Sequence, residues 1–255
     1  MKPGLVSVTF RQLSPESIVD LCVKSGLQTV EWGGDVHVPP GDAGVAFRVG
    51  EMTREAGLSI TAYGSYYRLA VSGGATFEEV LCSAVALDAP AIRVWAGNRG
   101  SADADEACRK SVADDALRCA DLAAEKGISI CYEFHDGTLT DTTESAMALL
   151  AETDHPFIRS LWQPPHGKSL EECLASLRSI MPRLHHVHAF HWWPDPGHRQ
   201  ALADGRERWE AYVAEMKAAS KDANLLLEFV RGDDPLLLEE DARTLRDIIA
   251  ESHCE

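Results

Sequence analysis

Four side chains able to hold a cation close four short apolar runs in the second half of the chain. Glu133 ends Ile128-Ser129-Ile130-Cys131-Tyr132-Glu133, and Gln163 follows Ile158-Arg159-Ser160-Leu161-Trp162. His188 ends Leu184-His185-His186-Val187-His188, and Glu228 ends Leu225-Leu226-Leu227-Glu228. Two carboxylates, an amide carbonyl and an imidazole form a donor set for a divalent ion, Mn²⁺ first, with Mg²⁺, Co²⁺ and Zn²⁺ admitted. Such a set leaves positions open for substrate oxygens, which the ion would polarise. Each residue alone could equally be a strand-end polar group bonded to its neighbours. The four together point to one face of a parallel barrel, where strand ends carry chemistry.

The elements needed to position them can be traced along the chain. Strands are predicted over Leu5–Phe10, Thr29–Trp32, Ser59–Tyr63, Ala91–Trp95, Ser129–Glu133, Ile158–Gln163, His185–Phe190 and Leu225–Val230. Helices alternate with them. Ser14 caps the first, with Pro15 in its first turn and Gly26 past its end, and Asp42 caps the second. Thr76 with Glu79, and Ser169 with Glu172, have capping-box spacing. Further helices are expected near 104–126, 144–152 and 207–219, and Asp234-Pro235 opens the last. No Pro/Gly/Ser linker or low-complexity tract divides the chain, and about 250 residues is the usual length of one (β/α)8 barrel. The expected fold is therefore α/β, a single-domain TIM barrel over residues 1–255.

Strand residues alternate between lumen and helical ring. One parity carries Val6, Val8, Val30, Ile60, Ile92, Val94, Ile130, Leu225 and Leu227, which suits contact with helices. The other carries Ser7, Thr9, Arg11, Thr29, Glu31, Thr61, Tyr63, Arg93, Trp95, Cys131, Glu133, His186, His188 and Glu228. A lumen so polar is costly unless its groups are paired or bind a metal. On this parity His186 reads as a satisfied core histidine below His188, and His185 as facing the helices. His135, His166 and His191 fall on loops over the mouth, as substrate contacts or loop structure. Tyr63, Tyr66, Tyr67, Trp95, Trp162, Trp192 and Trp193 supply flat faces for a ring, with Arg93 beside them. Glu31 is either an extra acid or substrate-hydroxyl acceptor, or half of an internal salt bridge to Arg93 or Arg11.

Other classes lose support. A net charge of −16 opposes a nucleic-acid or acidic-membrane partner, because phosphate binding needs concentrated basic surface. No apolar run reaches the roughly eighteen residues of a membrane span, and Met1-Lys2-Pro3-Gly4 leads directly into a strand rather than a signal peptide. Seven scattered cysteines without a CxxC pair suit thiols in a reducing cytoplasm. Dinucleotide, P-loop, serine-hydrolase and HExxH motifs are absent from the sequence. What remains is a cytoplasmic protein acting on a small sugar or polyol, compatible with a homodimer.

The chain resembles the xylose isomerase-like barrel superfamily of sugar isomerases and epimerases, which also contains endonuclease four. The resemblance is carried by Ser7-Val8-Thr9-Phe10-Arg11, Glu31-Trp32-Gly33-Gly34, Tyr132-Glu133-Phe134-His135, Leu161-Trp162-Gln163-Pro164-Pro165-His166, Val187-His188-Ala189-Phe190-His191-Trp192 and Leu227-Glu228-Phe229. It implies metal ligands at Glu133, Gln163, His188 and Glu228, with a family histidine at His166 and an aspartate usual where Gln163 stands. It also implies Glu133 and Glu228 as the groups that move a proton. Isomerisation or epimerisation of a sugar through an enediolate is the first expectation. Dehydration of a keto-sugar or inosose-like ring is the alternative, since both begin by removing a proton beside a polarised carbonyl. A non-catalytic barrel is suggested by Gln163 and a nuclease by the histidine cluster; the net charge opposes the nuclease.

Gln163 is the residue most particular to this chain. If its side-chain oxygen is a ligand, Gln163→Asp tightens metal binding by adding an anionic oxygen, and Gln163→Leu weakens it. Calorimetric titration of both variants reads this directly. Equal affinities across wild type, Asp and Leu would strike Gln163 from the ligand set.

Overall fold

Eight parallel strands close on themselves, each leading into a helix. A computed structural model describes residues 1–251. Strand β1 (Pro3–Val6) pairs with β2 (Thr29–Gly33), and the order continues through β3 (Ser59–Arg68), β4 (Ala91–Trp95), β5 (Ser129–Tyr132), β6 (Ile158–Trp162), β7 (Leu184–Ala189) and β8 (Asn224–Leu227) back to β1. The helices are α1 (Pro15–Lys24), α2 (Ala43–Glu55), α3 (Phe77–Leu87), α4 (Glu106–Ala124), α5 (Thr143–Glu152), α6 (Leu170–Ile180), α7 (Arg206–Ala218) and α8 (Leu238–Glu251). The expected TIM barrel is what the chain forms. Cys254 lies outside the described residues.

Local chemistry accounts for the helix starts. The hydroxyls of Ser14, Thr76, Thr142 and Ser169 and the carboxylates of Asp42 and Asp105 each accept a backbone N–H of the first turn. Both expected capping boxes, Thr76 with Glu79 and Ser169 with Glu172, are closed. Asp234 caps a 3₁₀ turn (Pro235–Leu237) rather than the last helix itself, which begins directly after that turn. The main core lies between barrel and helices. Leu5, Val30, Ile92, Val94, Ile130, Leu225 and Leu227 turn into it from the strands, and Ile18, Val49, Leu87, Leu149, Leu177, Val213 and Leu245 from the helices.

Three departures from simple alternation matter to the site. Strand β1 stops at Val6, and Ser7–Phe10 forms a 3₁₀ turn instead of continuing as strand. Ser7 Oγ accepts the Gly33 N–H at 2.8 Å and Thr9 Oγ1 accepts the Phe229 N–H at 3.0 Å, tying that turn to β2 and to the end of β8. Val6, opposite Glu31 in the β1–β2 register, already faces inward within the strand, and Val8 does so from the turn; both cluster with Leu226, Tyr66 and Phe229 rather than facing outward toward helices. Second, β3 carries an extra residue: Val30 pairs with Ile60 but Glu31 pairs with Ala62. The bulge reverses the facing of the later residues of the strand. Tyr63 consequently points into the outer core, its hydroxyl donating to Val38 O at 2.8 Å. Third, β7 gains a residue between its pairings with Ser160 and Trp162. His185 there turns to His186, Nδ1 to Nδ1 at 2.8 Å, rather than to the helices.

Close packing at the start of β1 leaves no room for a side chain. A Cβ on Gly4 would meet the Thr29 carbonyl oxygen at 2.5 Å and also Leu226 Cδ2. Gly4→Ala should destabilise the barrel by about 1–3 kcal/mol, the usual cost of forcing volume into a packed interior. Urea unfolding of the two proteins measures it, and equal midpoints would show that β1 can shift away.

Candidate metal centre

The ends of β5, β6, β7 and β8 open into one cavity of about 740 Å³, lined among others by Arg93, Trp95, Glu133, His135, Gln163, His166, Trp192, Glu228 and Phe229. That is the size range of small-molecule sites. Glu133 and Glu228 line its floor, and His188, fully buried, lies against them. Their ligand atoms lie within 4.8 Å of one another, and all three residues are buried. They follow or end strands whose outward neighbours are Tyr132, Val187 and Leu227, so each reaches inward as the parity requires.

Gln163 lines the same cavity. Its Nε2 donates to the Phe134 carbonyl at 2.8 Å, which fixes the amide orientation. Its Oε1 is buried without a partner. A buried acceptor left bare costs about 1–3 kcal/mol, so an ion there would satisfy an otherwise expensive atom. The donors present, two carboxylates, an imidazole and this carbonyl, fit a divalent metal.

A second trio, Glu31, His186 and His188, also converges within 4.8 Å. It suits a cation less well. Glu31 faces Arg93 at 2.9 Å and takes His186 Nε2 at 2.9 Å and His188 Nε2 at 3.1 Å on its other oxygen. A guanidinium already occupies the place a cation would want. Glu31 is fully buried and is not among the residues lining the cavity. Of the alternatives read from sequence, the salt bridge to Arg93 is the one formed. Arg11 pairs with Asp35 at 2.6 Å and Tyr66 Oη at 2.6 Å instead. His186 is the satisfied core histidine expected.

Electrostatics divide the ligands. Burial alone would lower the His188 imidazole, but Glu228 and Glu31 outweigh it and push it up to about 10. Burial also raises Glu133, helped by Glu228 and Glu31 and opposed by Arg93 at 2.6 Å. Glu228 goes the other way. His188 and Arg93 hold it below the usual carboxylate range despite its burial.

The walls are aromatic. Trp95 lies between His135, stacked at 4.1 Å, and the Arg68 guanidinium at 3.7 Å. His166 stacks on Trp192 at 5.3 Å, and its Nδ1 is buried without a partner. Burial lowers His166, so it is neutral near pH 7. Tyr66 lines the same space, whereas Tyr63, Tyr67 and Trp162 do not. Trp162 instead donates to Ser176 Oγ at 3.1 Å within the outer core, and Tyr67 Oη donates to Asp115 at 2.9 Å. His191 is displaced as well. It begins a short hairpin, His191–Trp192 against Arg199–Gln200, and faces a separate small cavity with Arg208, Trp209 and Tyr212. Sequence reasoning gave Phe229 no role of its own; a positive φ of 48° turns the chain there, and no local sequence signal announces it.

A family profile described as Xylose isomerase-like TIM barrel matches residues 19–248. The 3-dehydroshikimate dehydratase of Bacillus anthracis is 28% identical over 200 residues, 74% of this chain and 71% of the relative. An inosose dehydratase of Geobacillus thermodenitrificans is 41% identical over 76 residues, 29% of this chain and 26% of the relative. Among solved structures, a probable 3-DHS dehydratase from Bacillus anthracis superposes with a TM-score of 0.80 at 21% identity, covering 96% of this chain and 99% of that one.

The raised His188 has a measurable consequence. Below a value of about 10 the ring is protonated on both nitrogens, so a cation can reach Nδ1 only by displacing a proton. Metal uptake near neutral pH should release about one proton from this ring, and affinity should climb as pH rises toward that value. Calorimetry in two buffers of different ionisation enthalpy counts the protons. Affinity that does not change between neutral pH and that value would show that the His188 ring is not held protonated.

Proposed function

Because the chain belongs to the xylose isomerase-like TIM barrel family, we propose that its mouth is a divalent-metal site for removing water from a small polyhydroxylated ring ketone. The convergence of Glu133, His188, Glu228 and the bare Gln163 oxygen under one cavity carries the reading. The resemblance to a dehydratase over most of both chains favours elimination over the isomerisation that the residues first suggested.

The ion would supply Lewis acidity to a ring carbonyl. Glu133 is the group assigned to the proton on the neighbouring carbon: burial and two nearby carboxylates raise its proton affinity, which makes its ionised form the stronger base. Glu228, kept ionised, holds charge at the floor. His166, neutral and with a free ring nitrogen, is assigned to a substrate hydroxyl. His135, which lines the cavity, is assigned to protonating the departing hydroxyl. The carbon–hydrogen and carbon–oxygen bonds break, a carbon–carbon double bond forms, and water leaves. The step is redox-neutral and needs no co-reactant. Trp95 and Trp192 offer flat faces to the ring.

The test incubates the metal-loaded protein with 3-dehydroshikimate and with an inosose, with and without chelator. The expected product has lost one water, read by mass; from 3-dehydroshikimate, whose ring already holds one carbon–carbon double bond, the second one yields an aromatic dihydroxybenzoate with its own ultraviolet band, and from an inosose an unsaturated ketone. Glu228→Gln should slow its appearance by at least ~100-fold, the scale of a lost acid–base or charge contribution, while the fold persists. A product of unchanged mass would replace dehydration with isomerisation or epimerisation.

A further inference from the structure

One carboxylate beneath the cavity touches the ligand set without entering it. Glu31 Oε1 lies 2.9 Å from Arg93 Nε, and Oε2 lies 2.9 Å from His186 Nε2 and 3.1 Å from His188 Nε2. Arg93 continues through Nη1 to Glu133 Oε2 at 2.6 Å. From β2, a single side chain therefore reaches one ligand directly and a second through one guanidinium. All five groups are buried.

The contact dictates an orientation. A carboxylate accepts and does not donate, so the His188 nitrogen facing Glu31 carries hydrogen. The other nitrogen, Nδ1, lies on the cavity side, 3.4 Å from Glu228 Oε2. Arg93 likewise occupies one oxygen of Glu133 and leaves the other for the floor of the cavity. Charge agrees with this division. With His188 neutral, as a ligating imidazole must be, three ionised carboxylates, Glu31, Glu133 and Glu228, less the one guanidinium of Arg93, leave two negative charges, the complement of a divalent ion.

We propose that Glu31 is the positioning residue of the metal centre: it selects the His188 nitrogen that faces the ion and, through Arg93, holds Glu133 in place. The inference rests on the metal reading given above. Carboxylates that receive the second N–H of a ligating histidine raise its basicity and fix its ring, and losing one typically costs about 10–100-fold in metal affinity. Space supports the same role. A Cβ on Gly64 would meet Glu31 Oε1 at 2.6 Å and Arg93 Nη2 at 3.0 Å, so the backbone of β3 is kept bare beside this pair.

Zinc titration by calorimetry compares wild type, Glu31→Gln and Glu31→Asp. Glu31→Gln removes the charge; Glu31→Asp keeps it but is one methylene too short to span Arg93 and His188. Both should bind zinc about 10–100-fold more weakly, with the metal-free proteins retaining wild-type near-ultraviolet circular dichroism. Nitrogen NMR of the zinc-loaded wild type should show His188 protonated at Nε2 and metal-bound at Nδ1, an observation that needs no variant to fold. Variant affinities within about twofold of wild type, or zinc on Nε2, would overturn the proposal. Wild-type protein that takes up no zinc, manganese or cobalt would instead remove the metal reading on which it stands.

Discussion

Arg93 sits wholly inside the barrel with its guanidinium between Glu31 at 2.9 Å and Glu133 at 2.6 Å, and the lumen is arranged around that pair of contacts. A buried charge is tolerable only when its partners are in place, and removing one partner of such a pair costs about 3–5 kcal/mol. The pair spans β2, β4 and the end of β5. Through Glu31 it extends to His186 and His188 on β7, and through His188 to Glu228. Strands distant in the sheet order are thereby joined across the interior by polar contacts, beside the small apolar cluster of Val6, Val8 and Leu226.

The layer below obeys the same rule with neutral groups. Thr29 Oγ1 and Thr61 Oγ1 are 2.6 Å apart, and Asn224 Nδ2 donates to Thr61 at 3.0 Å. Ala62, Ala91 and Cys131 form a small apolar patch between these tiers. The lumen is thus held together by paired polar groups. Among the proposed ligands, the Gln163 carbonyl and His188 Nδ1 lack a hydrogen-bond partner, both at the one place where an ion would be useful. Elsewhere the barrel relies on the apolar layer under its helices, where most strand side chains of outward parity are fully buried.

The architecture was legible in the sequence because cap residues, strand lengths and helix spacing are local signals. Ser14, Thr76 and Ser169 cap the helices assigned to them. Glu133, His188 and Glu228 were legible for a related reason: each sits one step beyond, or at the end of, a strand whose alternation is unbroken near its C-terminal end. Alternation fails where a strand carries an extra residue. The bulges in β3 and β7 invert Tyr63 and His185, and neither bulge leaves a mark in the residues themselves, since register is a property of two strands. Ser7 to Phe10 misled for another reason. Its alternating Ser-Val-Thr-Phe pattern suits a strand, but hydrogen bonds to Gly33 and Phe229, distant in sequence, hold it as a helical turn. The seat of His191 likewise depends on a hairpin whose partner strand is only two residues long.

The separation between the buried contacts of Glu31, Arg93 and His186 and the aromatic wall above them bears on how such a barrel diverges. Substitutions at Trp95, His135, Trp192 or Phe229 would alter what the mouth admits while leaving untouched the contacts that aim Glu133 and His188. Heritable change in specificity can accumulate at a rim that carries little of the fold, and the buried floor proposed to bind an ion need not be rebuilt for each new substrate.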